Sequence, residues 1–216
     1  MFESRGIYYK EITGGLSACG LSEDWDREVL SLEETINGVP VIQISAYAFA
    51  NVSSLIKVLI PHSIQKIGPF AFADCCNLTR IMFHRSKNSS PVIISEQAFR
   101  NCVSLKQVRG SALLRLNDGY EFLGCKSMKQ TPAGICGEIK KGAFQDCSSL
   151  ELLNFHYVTK IDDDAFDKNN HIAAVYVGRD FECSETFLES IKNARIICYK
   201  ESKFVDLVYD GYHIVV

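Results

Sequence analysis

No run in this 216-residue chain approaches the ~18 consecutive apolar residues that a membrane-crossing helix requires, so membrane insertion is not expected. The N-terminus, Met1-Phe2-Glu3-Ser4-Arg5-Gly6-Ile7-Tyr8-Tyr9-Lys10-Glu11, lacks a basic segment followed by an apolar one, so no signal peptide is read there. An intracellular setting is the default expectation, with a cell-surface or particle-associated one as its alternative. A block of like charge is also missing. The net charge of -3 is spread along the chain, and without a basic face a nucleic-acid partner is not expected. There is no Cys-x-x-Cys pair, Gly-x-Ser-x-Gly elbow, phosphate loop or dinucleotide fingerprint. The histidines His62, His84, His156, His171 and His213 are scattered and adjoin no nucleophile motif. The chain reads as a non-enzyme that needs no cofactor and no metal.

What is present supports a folded core. Hydrophobic residues make up 47% and charged residues 23%, which leaves no case for disorder. The nine cysteines are many and odd in number, but the chain is longer than a disulfide-stapled secreted scaffold, so a reducing environment is the simpler reading.

Internal repetition dominates the sequence. A pair ending in Phe recurs at Ala48-Phe49, Ala71-Phe72, Ala98-Phe99, Glu121-Phe122, Ala143-Phe144 and Ala165-Phe166, with steps of 23, 27, 23, 22 and 22 residues. Six residues after each Phe stands Leu55, Leu78, Leu105, Met128, Leu150 or Ile172; five before it stands Ile44, Ile67, Ile94, Asn117, Ile139 or Ile161. A weaker seventh unit follows at Thr186-Phe187. Within a unit, Leu55-Ile56-Lys57-Val58-Leu59-Ile60 alternates as a half-buried strand does, with Val58 and Ile60 facing inward; Ile81 with Phe83, Leu153 with Phe155 and Val175 with Val177 repeat the phase. The Ile before the Phe belongs to a second short extended stretch. Ser45, Ser95, Asp118 and Asp162 then suit the N-cap of a short helical turn carrying the Ala-Phe pair. A unit this small cannot shelter its own apolar residues, so units must stack.

The run from Leu55 to Leu78, Leu-Ile-Lys-Val-Leu-Ile-Pro-His-Ser-Ile-Gln-Lys-Ile-Gly-Pro-Phe-Ala-Phe-Ala-Asp-Cys-Cys-Asn-Leu, resembles the BspA-type leucine-rich repeat, and Ser31 to Val41 resembles that family's lead-in. The resemblance covers about residues 30 to 180. It implies a mainly β, right-handed solenoid of about six to seven units of 22–27 residues. A parallel sheet would line one face, and short helical turns would carry the Phe pairs. Members act by binding, commonly as surface or adhesion modules of microbes and protists. Residues 1–35 are expected to cap the stack, 36–180 to hold the repeats, and 181–216 to form a degenerate last repeat and C-terminal cap, all in one domain. Ile7–Ile12 and Glu28–Leu32 are candidate cap strands, 187–191 a short helix, 194–199 a strand, and 208–214 a hairpin turning at Asp210-Gly211. That hairpin either closes the stack or offers Tyr209 and Tyr212 for assembly. Several units depart from the pattern. Asn117 stands for Ile, Gly110 and Ala133 fall at inward strand positions, Pro132 falls in a strand, and His84–Pro91 is an insertion.

Three features invite a site reading. Cys75, Cys102, Cys125 and Cys147 each follow a Phe by three residues and should stack as a ladder of buried thiols or, pairwise, disulfides; a linear ladder does not converge as zinc requires. Asp162-Asp163-Asp164 suits helix-cap chemistry better than a calcium loop. The outward strand phase gives the candidate partner-binding face: Lys57, Leu59, Arg80, Met82, Gln107, Arg109, Leu152, Asn154 and Tyr176, with Gln130, Pro132 and Ala174 in the same phase. Arg, Met and Tyr are enriched at protein interfaces, so the expectation is a repeat scaffold binding a protein or glycan through this face. The alternative is a structural or accessory subunit of a larger assembly, such as a viral or cell-surface particle, compatible with the irregular middle units and a tail able to donate a strand.

Overall fold

A chain that repeats apolar positions every 22 or 23 residues can bury them only by coiling so that equivalent positions meet, and the computed structural model has that form. It describes residues 1–84, 90–198 and 213–215. The chain begins with an antiparallel meander of β1 (Phe2–Ser4), β2 (Ile7–Ile12) and β3 (Gly15–Leu21), then β4 (Val29–Ser31), β5 (Thr35–Ile36) and β6 (Val39–Ile44). Thereafter each unit contributes a front and a back strand: β7 (Lys57–Ile60) and β8 (Lys66–Ile67), β9 (Arg80–Phe83) and β10 (Val92–Ile94), β11 (Gln107–Gly110) and β12 (Leu114–Leu116). The fifth unit supplies only a back strand, β13 (Cys136–Ile139). The series resumes with β14 (Leu152–Phe155) and β15 (Tyr157–Ile161), then β16 (Ala174–Val177), α1 (Glu185–Ser190), β17 (Arg195–Ile197) and β18 (His213–Val215).

The front strands pair in parallel as β4-β7-β9-β11 and, beyond a break, as β14-β16-β17-β18. The back sheet runs β3-β6-β8-β10-β12, bridges Leu114 to Ile135, and continues as β13-β15. The antiparallel β1-β2-β3 meander covers its first rung. Glu28–Leu32, grouped with the cap from the sequence, instead supplies the front sheet's first rung, since β4 pairs in parallel with β7. Asn37 and Gly38, at φ of 52° and 80°, turn β5 into β6, the left-handed pair that a tight hairpin requires. At the other end α1 and β17 lie where the sequence places a helix and a strand, and Ser184 caps α1 by accepting from Phe187 N. β18 pairs in parallel with β17; the remainder of the expected hairpin, with Tyr209 and Tyr212, lies outside the described residues, as do residues 85–89 of the insertion.

The interior is one cluster running from Ile7 to Cys198. Its axis is a column of rings: Phe49, Phe72, Phe99, Phe122, Phe144 and Phe166 follow one another with centroids 5.2 to 5.3 Å apart, the last four steps nearly coplanar. Offset stacking of this kind adds about 0.5–1.5 kcal/mol per pair to the burial of the rings. The fourth unit is less degraded than its sequence suggests. Leu116, not Asn117, takes the place of the inward Ile and registers with Ile94, while Asn117 faces solvent. The extra residue between Leu116 and Phe122 is absorbed at Gly119, at φ 96°, where a Cβ would lie 2.6 Å from Lys141 O.

The Ala-Phe segments are turns, not capped helices. Residues two before and two after the first five of these Phe adopt positive φ: Tyr47 and Asn51, Phe70 and Asp74, Gln97 and Asn101, Tyr120 and Gly124, and Gly142 and Asp146. These left-handed residues swing alternate N–H groups out of the turn and towards the next unit: Phe72 N donates to Ala98 O, Phe99 N to Glu121 O and Phe122 N to Ala143 O. The turns thus form a third hydrogen-bonded ladder along the stack. The expected caps are directed elsewhere for the same reason. Asp162 accepts from Lys141 N of the preceding unit, and Ser45 Oγ meets Ser17 Oγ at 2.7 Å.

The cysteine ladder completes this arrangement. Cys75, Cys102, Cys125 and Cys147 are free and buried, and each thiol donates at 3.1 to 3.2 Å to the Phe carbonyl of the unit before: Phe49, Phe72, Phe99 and Phe122. Where the ladder ends, Asn169 holds the same position, and its amide donates to Phe144 O at 2.8 Å. The same amide donates to Phe166 O at 2.9 Å, so Asn169→Ala should cost about 1–2 kcal/mol, while Asn169→Cys recovers the part due to Phe144 O. Chemical denaturation of the two variants checks this; equal losses would show that the bond to Phe144 O contributes nothing.

Candidate functional site

Parallel register carries the outward residues of the front strands into straight rows. Lys57, Arg80 and Gln107 stand in one row, and Leu59, Met82 and Arg109 in the next. Lys57, Leu59, Met82 and Gln107 are half-buried, flanked by their neighbours; Arg80 and Arg109 are exposed. Beyond the break, Leu152 registers with Ala174 and Asn154 with Tyr176, whose ring is 40% exposed. The structure therefore brings the first six candidates together on one panel and Leu152, Asn154 and Tyr176 on another. The single continuous face expected from the sequence is divided.

The division has a local cause. The alternation of the front ladder, in which Gln107 N donates to Thr79 O, makes Gln107 and Arg109 bond back to β9. The N–H and C=O of Val108 and Gly110, with the carbonyl of Lys106, then face the fifth unit. One period on, the residue equivalent to Arg109 is Pro132, which has no N–H to donate to Val108 O. No strand pairs with β11 on that side among the described residues. On its other side the fifth unit keeps the ordinary step to the next front strand: Lys129 O accepts from Glu151 N and Leu152 N, Thr131 N donates to Leu152 O, and Thr131 Oγ1 accepts from Asn154 N at 2.7 Å. Two further expectations change here. Ala133 is exposed, with Thr131 and Pro132 buried in its stead, and Gly110 is exposed at φ 127°, its Cβ position 2.0 Å from Phe83 O.

Cavities open along this break. One of about 390 Å³ is lined by Lys106, Gln107, Arg109, Ser127, Lys129 and Gln130. A second, of about 230 Å³, lies between Arg109, Gly110 and Pro132. A third, of about 370 Å³, runs from Gly110 and Ala133 to Asn154 and Tyr176. Lys129 pairs with Glu151 at 3.5 Å, whereas Lys106 and Arg109 have no acidic partner among the described residues. Pro132 and Gly110 were visible in the sequence as irregularities; their joint consequence, an open strand edge beside cationic side chains, was not.

The remaining candidates are absorbed by the scaffold. Burial pushes the Cys75 and Cys147 thiols up to about 12 and those of Cys102 and Cys125 well above their usual value, so the ladder does not supply nucleophilic thiolate. Asp163 accepts from Ser184 Oγ and Asp164 pairs with Lys141 at 3.3 Å, so the acidic run ties neighbouring units together. No group of three His, Cys, Asp or Glu side chains is placed to hold a metal ion among the described residues. No helix there is long and apolar enough to cross a membrane.

Comparison with known proteins agrees with this architecture. The sequence model of the BspA type leucine rich repeat region matches residues 29–129 and 88–187, in six copies. No curated protein matches the sequence. Among solved structures, a leucine rich cell surface protein from Faecalibacterium prausnitzii superposes with a TM-score of 0.66 at 19% identity, over 94% of this chain and 55% of that one. A leucine-rich repeat protein from Bacteroides ovatus gives 0.65 at 22% identity, over 94% and 51%. The chain thus spans about half the length of both. The leucine-rich repeat protein of T. pallidum gives 0.63 at 20% identity, over 100% of this chain and 99% of that one. These likenesses concern the fold.

Proposed function

This chain belongs to the BspA-type leucine-rich repeat family, and from that premise we propose that it is a non-catalytic scaffold recognising a protein or glycan partner through its front strand face. The observation that carries the reading is the register of the first panel. Lys57, Arg80 and Gln107 form a polar row beside a second row of Leu59, Met82 and Arg109, on the outward side of the front sheet. Arg and Met at such a surface combine charge-assisted hydrogen bonding with adaptable apolar contact. The core asks nothing of these residues. Their side chains point away from the Phe column, so their chemistry is free for a partner.

The test is co-purification from the native source with wild-type chain and with the Arg80→Glu/Arg109→Glu double variant, both verified as folded. A partner that binds the wild type is expected to lose ten-fold or more in affinity for the variant, since two charge-assisted contacts at about 1.5–3 kcal/mol each become repulsive. Equal affinity for both proteins removes this face from the account.

A further inference from the structure

The break at Pro132 leaves a feature that the general recognition reading does not use. A parallel strand in the interior of a sheet ordinarily has both edges bonded, and an exposed edge accepts further strands unless something blunts it. β11 is such an edge, formed inside the solenoid where the next rung, carrying Pro132, does not pair with it among the described residues. Among the described residues, the carbonyls of Lys106 and Val108 and the N–H groups of Val108 and Gly110 have no backbone partner on this edge. Beside them the 390 Å³ cavity is lined by three cationic and two amide side chains and no carboxylate, on a chain whose net charge is -3. Lys57 and Arg80, in the row that leads to Gln107, extend the same sign across the panel. A cavity of this volume lies in the range that accommodates a small ligand or a few residues of peptide.

We propose that this slot binds an extended acidic segment of a partner protein, which adds to the open edge of β11 by main-chain hydrogen bonds and places its carboxylates against Arg109 and Lys106. Main-chain pairing supplies affinity without sequence preference, and the guanidinium of Arg109 selects for carboxylates by two-pronged hydrogen bonding. An N–H of the incoming segment satisfies Val108 O, the group left without a donor by Pro132. This proposal rests on the recognition reading and narrows it to one site and one chemistry.

The test uses the full chain and a labelled, end-blocked peptide of about eight residues alternating Glu and Val, a pattern that favours an extended backbone. Three comparison peptides accompany it: Lys for Glu, Gln for Glu, and the Glu-Val sequence N-methylated at alternate residues. Binding is read by fluorescence anisotropy and by site-resolved amide exchange. The Glu-Val peptide is expected to bind, to weaken with added salt, and to slow exchange at Val108 and Gly110. Arg109→Glu should lower its affinity ten-fold or more and raise that of the Lys peptide; N-methylation should abolish binding to the wild type. Unchanged affinity in Arg109→Glu, or binding without protection of Val108 and Gly110, overturns the proposal. So does equal binding of the Gln peptide. A native partner that is lost in the Arg80→Glu/Arg109→Glu variant but not displaced by excess Glu-Val peptide defeats the slot while leaving the recognition face in place. Absence of any partner defeats the wider reading.

Discussion

Phe99→Ala is expected to lower the stability of this protein by about 3–5 kcal/mol, among the largest losses available from any single side chain in it. Phe99 is fully buried, and its ring lies between those of Phe72 and Phe122 at 5.3 Å on each side. Removing it forfeits the transfer of an aromatic side chain from water, opens a cavity in the middle of the column, and ends two stacking contacts. Each unit contacts chiefly its neighbours, so the damage is local in space yet decisive for cooperativity: the units on either side of the gap lose their coupling. Urea unfolding should show a lower midpoint, and a broadened or two-step transition if the halves separate. Phe49, at the first end of the column, has a single ring neighbour, Phe72, so Phe49→Ala ends one ring contact in place of two and should cost less. Equal losses at both positions would mean that the column does not act as a column.

The second large effect is electrostatic. Glu121 stands where all five of the other repeat pairs carry Ala, and its side chain is fully buried. One carboxyl oxygen accepts from Asp118 N at 3.0 Å and Gly119 N at 2.8 Å; the other has no partner. Burial pushes its pKa up from 4.5 to about 7, against the lowering effect of those N–H bonds. The folded state therefore holds a proton more tightly than the unfolded chain does. Stability from this site is fully present below about pH 4.5 and is lost as pH rises through 7, a change of about 3 kcal/mol across the window. Glu121→Gln keeps an acceptor for Asp118 and Gly119 but cannot ionise. Between pH 5 and pH 8 the wild type should lose about 2–3 kcal/mol relative to this variant. Parallel stability-against-pH curves for the two proteins would show instead that Glu121 ionises at its ordinary value.

The stacking of units was legible in the sequence because it depends on burial, and burial leaves a periodic mark. Phe72 and Phe99, Ile67 and Ile94, and Val58 and Ile81 recur at the repeat spacing, and each reaches the core as that spacing predicts. The four in-phase cysteines likewise stack as free thiols, although their bonds to the Phe carbonyls depend on turn geometry that spacing alone does not convey. What was less legible follows from backbone conformation. Ser and Asp before an Ala-Phe pair satisfy the usual rule for a capped helix, so the sequence points to helices where the structure has turns. The contrary signal was Asn51, Asp74, Asn101, Gly124 and Asp146, each two residues past its Phe and each a type that tolerates positive φ. A fixed spacing of five points to Asn117 in place of Leu116, because this unit carries one residue more. The division of the front face arises from a missing donor on Pro132, and only the three-dimensional register connects a proline in one unit with a carbonyl in another.

Site-resolved amide hydrogen exchange on the free protein tests the central claim most directly. The amides of Phe72, Phe99 and Phe122, each donated to the neighbouring unit, should exchange slowly, and so should that of Ile81 within the paired part of the front sheet. The amides of Val108 and Gly110, at the open edge, should exchange with water orders of magnitude faster. Protection at Val108 equal to that at Ile81 would mean that the front sheet is closed at Pro132, and rapid exchange along the Phe column would mean that the units do not stack as described.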